Sequence, residues 1–302
     1  APGASRRELL RAPARNRARK LMARGKRAGS RRRRTSWLKW PPKWWPSAAV
    51  RKRWLRAFSQ TPATFQFGVV AVVLITIWFG LNWIYQVVRK PSELFFPVSG
   101  VLYKLPEETW DTYESAFRKH ATAAISPAFL AALAQVEGSG NPLARTYWRW
   151  SLTESPFDLY RPASSAVGMY QITDGTFGEA RRYCVHDHVV VEDGPWHDVR
   201  SCWFNSLYTR TIASHSIELT SAYLDRRVAR ALANARISKA TLRQKEDLAA
   251  VIHLCGAGAG ERYARRGLRL VAHQRCGDHD VRAYINRVQG MKTAFLRLGA
   301  DK

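Results

Sequence analysis

Residues 129–142 read FLAALAQVEGSGNP, and the fold turns on how this stretch is read. Phe129, Leu130, Leu133 and Val136 recur at the spacing of one helix face. Ser126 and Pro127 just before them supply a cap and a first-turn proline. Gly138 marks the stop. The helix thus delivers one acid, Glu137, to its end. A carboxyl set among apolar side chains is desolvated, and desolvation favours the protonated form that a general acid needs. Two more helices read clearly. One spans 238–255 with Leu242, Leu248, Val251 and Ile252 inward, and one places Val281, Tyr284, Ile285, Val288, Met291 and Phe295 on a single face. Strand signals are scarce, and VVVED at 189–193 reads as a short edge strand. The expectation is a mainly α domain over 107–302.

About thirty residues beyond Glu137 comes SSAVGMYQITDGTF, residues 164–177. It sets a small-residue loop before the amide of Gln171, with Thr173 or Asp174 capping the next helix. Gly168 permits close backbone approach to a ligand, and Ser165 and Gln171 offer groups that hydrogen-bond a sugar. Between acid and loop lie Tyr147, Trp148, Trp150, Phe157 and Tyr160. Aromatic rings there stack on sugar faces or form core, and both readings stand.

Outward from this region the chain changes character. Residues 1–56 hold 20 Lys/Arg against the single acid Glu8, so 19 of the net charge of +26 sits there. An Arg/Ala/Gly/Pro composition of this kind builds no core and is expected to be disordered. Its partner is anionic, a membrane face or nucleic acid, and any nucleic-acid contact belongs to this tail alone. The stretch SWLKWPPKWWPSAAVRKRWLRAF favours the membrane, because tryptophan prefers the interface and basic residues seek anionic headgroups. From Ala57 to Val88 there is no charged residue, and Phe67–Tyr85 is long enough to cross a bilayer as a helix. Residues 57–90 are therefore expected to hold a transmembrane helix and its flanks, with 91–106 as a linker. The positive-inside bias puts residues 1–60 in the cytoplasm and residues 90–302 across the membrane, which for a bacterial inner membrane is the periplasm.

Cys184, Cys202, Cys255 and Cys276 form no C-x-x-C pair, which disfavours a zinc or thioredoxin site. Two disulfides suit an oxidising compartment. Three connectivities are open, with Cys184–Cys202 and Cys255–Cys276 preferred as sequence neighbours. His186 and His188 have no evident distant partner for a metal.

Taken together, these residues resemble the lytic transglycosylase domain of the soluble-lytic-transglycosylase type, related to goose-type lysozyme. That family carries Glu-Ser at a helix end, then Gly-Leu-Met-Gln, then Ala-Tyr-Asn-Ala-Gly, then a last helix with Glu-Thr-Arg-x-Tyr-Val. Here the motifs fall on Glu137-Gly138, Gly168-Met169-Tyr170-Gln171, Leu254-Cys255-Gly256-Ala257-Gly258 and Asp280-Val281-Arg282-Ala283-Tyr284-Ile285. The resemblance covers about 107–298. It departs at Gly138, where the family has serine, and at Cys255 and Gly256, which replace Tyr-Asn. It implies a lysozyme-like fold and cleavage of the β-1,4 bond between N-acetylmuramic acid and N-acetylglucosamine in peptidoglycan, closing a 1,6-anhydro ring. Glu137 would be the catalytic acid and base, and Tyr284 its hydrogen-bonding partner. Ser165, Gly168, Met169, Tyr170, Gln171 and Asn141 would hold the glycan, with no cofactor and no metal. A hydrolase using water, or a peptidoglycan-binding scaffold without activity, are the other readings. The membrane anchor and large tail suit service to an envelope-spanning secretion or conjugation apparatus.

Overall fold

The computed structural model describes residues 46–198 and 201–300. The arginine-rich tail up to residue 45, with its expected disorder, lies outside the described residues. Two units divide at Ala71 and Val72. In the first, helix α1 (Ala48–Ser59) starts at Ser47, whose hydroxyl accepts from the Val50 N–H. It carries Arg51, Lys52, Arg53 and Arg56 with an exposed Trp54, the mix of cation and indole that interfaces favour.

Helix α2 (Ala63–Arg89) begins in the first unit and ends in the second. Its 27 residues have a mean hydropathy of 2.1 over the most apolar window and are almost entirely exposed. At 1.5 Å per residue it is about 40 Å long, enough to cross a hydrocarbon core of about 30 Å.

The rest of the second unit is mainly helical. Its helices are α3 (Pro106–Lys119), α4 (Pro127–Gly138), α5 (Asp174–Ala180), α6 (Ala213–Asn234), α7 (Leu242–Cys255), α8 (Ala257–Arg265) and α9 (Val281–Ala300). Three antiparallel hairpins accompany them: β1 (Trp148–Trp150) with β2 (Tyr160–Pro162), β3 (Tyr183–His186) with β4 (Val189–Glu192), and β5 (Arg275–Cys276) with β6 (His279–Asp280). The expected edge strand is thus half of a hairpin.

Helix α4 is the central element. Ser126 accepts from the Phe129 N–H and Pro127 occupies the first turn, as the sequence indicates. Eight of its twelve residues are buried, so it is enclosed on all sides rather than along one stripe. Helix α9 makes its most extensive contact with α4, α3 flanks it, and α6, α7 and α8 pack on one another beside it. Phe129, Leu130, Leu133, Leu224, Leu248, Val251, Val288 and Phe295 are fully enclosed, each contributing about 1.5–3 kcal/mol by removal from water. The chain stops at Ser139, in the left-handed region at φ 48°, one residue later than Gly138.

The segment expected as a linker, residues 91–106, makes contacts within its unit. Residues 91–102 form short helical turns, and the Glu93 carboxylate is wholly buried. It accepts from Arg145 at 3.1 Å and from the Trp148 indole at 2.9 Å. Both disulfides, Cys184–Cys202 and Cys255–Cys276, join sequence neighbours.

Candidate active site

Glu137 lies on the last turn of α4, where the helix leaves the core, and its side chain keeps 19 % of its exposure. Tyr284, on the first turns of α9, donates its O–H to Glu137 Oε1 at 2.5 Å. Burial, and then the neighbouring Glu137, push the Tyr284 phenol well above its usual range, so it stays a donor. His253, near the end of α7, places Nε2 3.6 Å from the same oxygen. Both neighbours address Oε1.

Three helix ends therefore converge on one carboxyl. A second polar cluster ties the same three helices further along. The wholly buried Glu246 of α7 accepts from the Ser126 hydroxyl, the α4 cap, at 2.5 Å, and pairs with Lys292 of α9. A buried carboxylate with both partners in place resists rearrangement, because removing either leaves a charge uncompensated. Near the site a covalent tie adds to it. Cys255, the last residue of α7, is bonded to Cys276 of the hairpin that leads into α9. This bond thus ties together the elements bearing His253 and Tyr284. Gly256, at φ 81° and ψ 167°, makes the turn from α7 to α8 in a region that side chains avoid.

The glycine loop lies against the acid's helix. A Cβ on Gly138 would meet Met169 Cα at 2.8 Å and Met169 O at 2.9 Å. This explains the glycine where the resembled family has serine: the loop backbone occupies the space. Gly168 lies at φ 82°, and a Cβ added there would fall 2.2 Å from the Arg210 carbonyl oxygen, so the space beside it is taken by that backbone.

Several expected glycan contacts are placed otherwise. The side chains of Met169 and Tyr170 are fully buried, and the Tyr170 hydroxyl donates to Leu130 O at 3.1 Å. They are core residues that press the loop onto α4. Asn141 is also enclosed, donating to Ser99 O at 2.6 Å and accepting from the Leu143 N–H at 2.8 Å. Gln171 folds its amide back onto Gly168 O at 2.9 Å and Ala144 O at 3.2 Å. Ser165 accepts from the Asp174 N–H and lines a cavity of about 730 Å³ that does not include Glu137. That cavity also holds Lys90, Arg210 and Asp174, charges engaged with the loop itself. His188 Nδ1 lies 2.9 Å from Ala121 O, and among the described residues no group of three metal-ligating side chains gathers.

His253 is the residue that sequence reading missed. It stands two positions before Cys255 in a helix read only for its apolar face; the neighbouring third motif was its one signal. No protein-family model matches the chain, and neither does any curated protein or any solved structure.

Proposed function

We propose that this protein is a membrane-anchored peptidoglycan lytic transglycosylase with a lysozyme-like domain, a cytoplasmic tail and a periplasmic active site. The observation that carries the reading is the buried Tyr284 O–H aimed at Glu137, with His253 beside it, on the helix end that the family pattern singles out.

The chemistry needs one carboxyl in two states. Protonated Glu137 gives its proton to the oxygen joining N-acetylmuramic acid to N-acetylglucosamine, and the bond from that oxygen to the muramic anomeric carbon breaks. The Tyr284 hydroxyl stabilises the carboxylate that remains. That carboxylate then takes the proton of the muramic 6-hydroxyl as its oxygen bonds to the anomeric carbon, closing the 1,6-anhydro ring. The carboxyl ends as it began, the role switch being that of retaining glycosidases. His253 adds a second polar neighbour for the carboxylate stage.

Compartment and substrate agree. The chain has a helix long and apolar enough to span, a tail of net +19 before it, and two disulfides after it. Tethering keeps cleavage local, which suits an envelope-spanning secretion or conjugation apparatus. A non-catalytic peptidoglycan-binding role is the second reading, favoured by the enclosure of Asn141, Met169 and Tyr170. Incubating the purified full chain with sacculi separates the two. Release of soluble glycan that Glu137→Gln abolishes, with sacculus binding retained, supports the enzyme; equal binding and no release by either protein supports the scaffold.

A further inference from the structure

The aromatic insert between Glu137 and the glycine loop turns to α2 and not to the acid. Trp78, Asn82 and Gln86 stand four residues apart on one face of α2. Each donates to a carbonyl of the β1–β2 hairpin: Trp78 Nε1 to Pro156 O at 3.2 Å, Asn82 Nδ2 to Tyr160 O at 2.8 Å, and Gln86 Nε2 to Phe157 O at 2.6 Å. Arg89 closes the row on Asp158 at 3.0 Å. Asn82 and Gln86 are 1 % and 4 % exposed, so the hairpin seals two amides that an otherwise apolar helix would leave in lipid. The rings repeat the pattern. Trp150 stacks on Trp78 with centroids 6.1 Å apart, Phe79 meets Tyr160 edge-on at 6.0 Å, and Tyr85 lies 5.4 Å from Phe157.

What the hairpin does not bury is as informative. Trp150 remains 64 % exposed, Tyr147 68 %, and Leu152 at the tip is fully exposed. Such a run facing water is unusual; beside a spanning helix it continues the lipid-facing surface. Trp78 precedes Arg89 by eleven residues, so it lies about 16 Å deeper along the helix. The headgroup layer is only about 5–8 Å thick on each side. A hairpin that reaches Trp78 therefore passes the headgroups when Arg89 sits among them. Glu154 at the tip sets a limit, since it is exposed and needs water or headgroups. Arg149 and Arg161 stand opposite each other at the middle of the strand pair, cations of the kind that phosphates attract.

We propose that the hairpin of residues 147–162 is a second membrane contact, an aromatic wedge seated at the headgroup–acyl boundary of the leaflet on the domain's side. It rests on the reading of α2 as a membrane span. Its strands are paired and three of its carbonyls accept from α2; its remaining backbone groups need headgroups or water, which places it at the boundary and not in the hydrocarbon interior. It fixes the domain's height and tilt, so that the carboxyl of Glu137 works at a set distance from the bilayer.

All four cysteines are in disulfides, so one introduced thiol labels selectively. The full chain carrying Leu152→Cys, Ile75→Cys or Lys239→Cys would be labelled with an environment-sensitive fluorophore in phosphatidylethanolamine–phosphatidylglycerol vesicles. It would be quenched by acyl-chain nitroxides or by aqueous iodide. The wedge predicts blue-shifted emission at position 152, lipid quenching within about twofold of that at 75, and iodide quenching at least threefold weaker than at 239. Position 152 behaving like 239 while 75 stays in lipid overturns the wedge alone. Iodide reaching position 75 overturns the span and the wedge with it.

Discussion

Gly138 stands where the resembled family has serine, and restoring that serine is expected to weaken the protein. The Cβ would lie 2.8 Å from Met169 Cα, 2.9 Å from Met169 O and 3.1 Å from Ala144 Cβ. Carbon atoms in good contact sit about 3.5–4.0 Å apart, so one backbone must move by more than half an ångström. The loop has little room to retreat: Met169 and Tyr170 are fully buried, and the Arg210 carbonyl fills the space where a Cβ on Gly168 would lie. Overpacking of this kind costs about 1–3 kcal/mol. Replacing a helical glycine by serine returns only about 0.5 kcal/mol. Gly138→Ser is therefore expected to lose about 0.5–2.5 kcal/mol and to melt about 1–10 °C lower. Thermal unfolding of the full chain in detergent, followed by circular dichroism with disulfides intact, measures it. A variant as stable as the parent would refute the claim that the loop backbone presses on the acid's helix.

Tyr284→Phe removes one hydrogen bond to a carboxylate, worth about 1.5–3 kcal/mol. The rate of glycan release should fall about 10- to 100-fold, and the melting temperature by about 3–12 °C; an unchanged rate with that loss of stability would show that the phenol only packs. His253→Gln keeps a polar group near Glu137 but loses the imidazole, and a rate loss of about tenfold with unchanged sacculus binding is expected, measured in the same release assay. Replacing Cys255 and Cys276 together by serine opens a loop closed over 21 residues and should cost about 3 kcal/mol in urea unfolding. The activity of that variant should drop further than that of a Cys184→Ser/Cys202→Ser pair, whose bond ties β3 to the loop beyond β4.

The parts of the fold carried by local signals were legible. Ser126-Pro127 states the start of α4, the spacing from Val281 to Phe295 states α9, and the charge-free run before Arg89 states α2. Helix α6 was not, although it is 22 residues long. Its inner positions include Ser216, Glu218 and Ser221, whose polar groups find partners: Ser216 donates to Ala213 O in the same helix, Glu218 takes the Val185 N–H and the Tyr208 hydroxyl, and Ser221 donates to His120 O. No periodicity in the segment reveals those partners. The same division runs through the site. Glu137 at a helix end and Tyr284 on an inward face are positions that local signals state, while the role of the pair is what the resemblance implies; the inward turn of Asn141, Met169, Tyr170 and Gln171 depends on packing between segments far apart in sequence. The insert's aromatics had two readings in the sequence, and it was the amides of Asn82 and Gln86 that drew them to α2.

The central claim is a carboxyl that serves as acid and then as base on the same sugar. Its most direct test is mass spectrometry of the glycan ends released from sacculi by the purified full chain, beside Glu137→Gln. The account predicts 1,6-anhydro-N-acetylmuramic ends from the parent and none from the variant. Reducing ends carrying solvent oxygen would contradict it, as would anhydro ends formed equally well without Glu137.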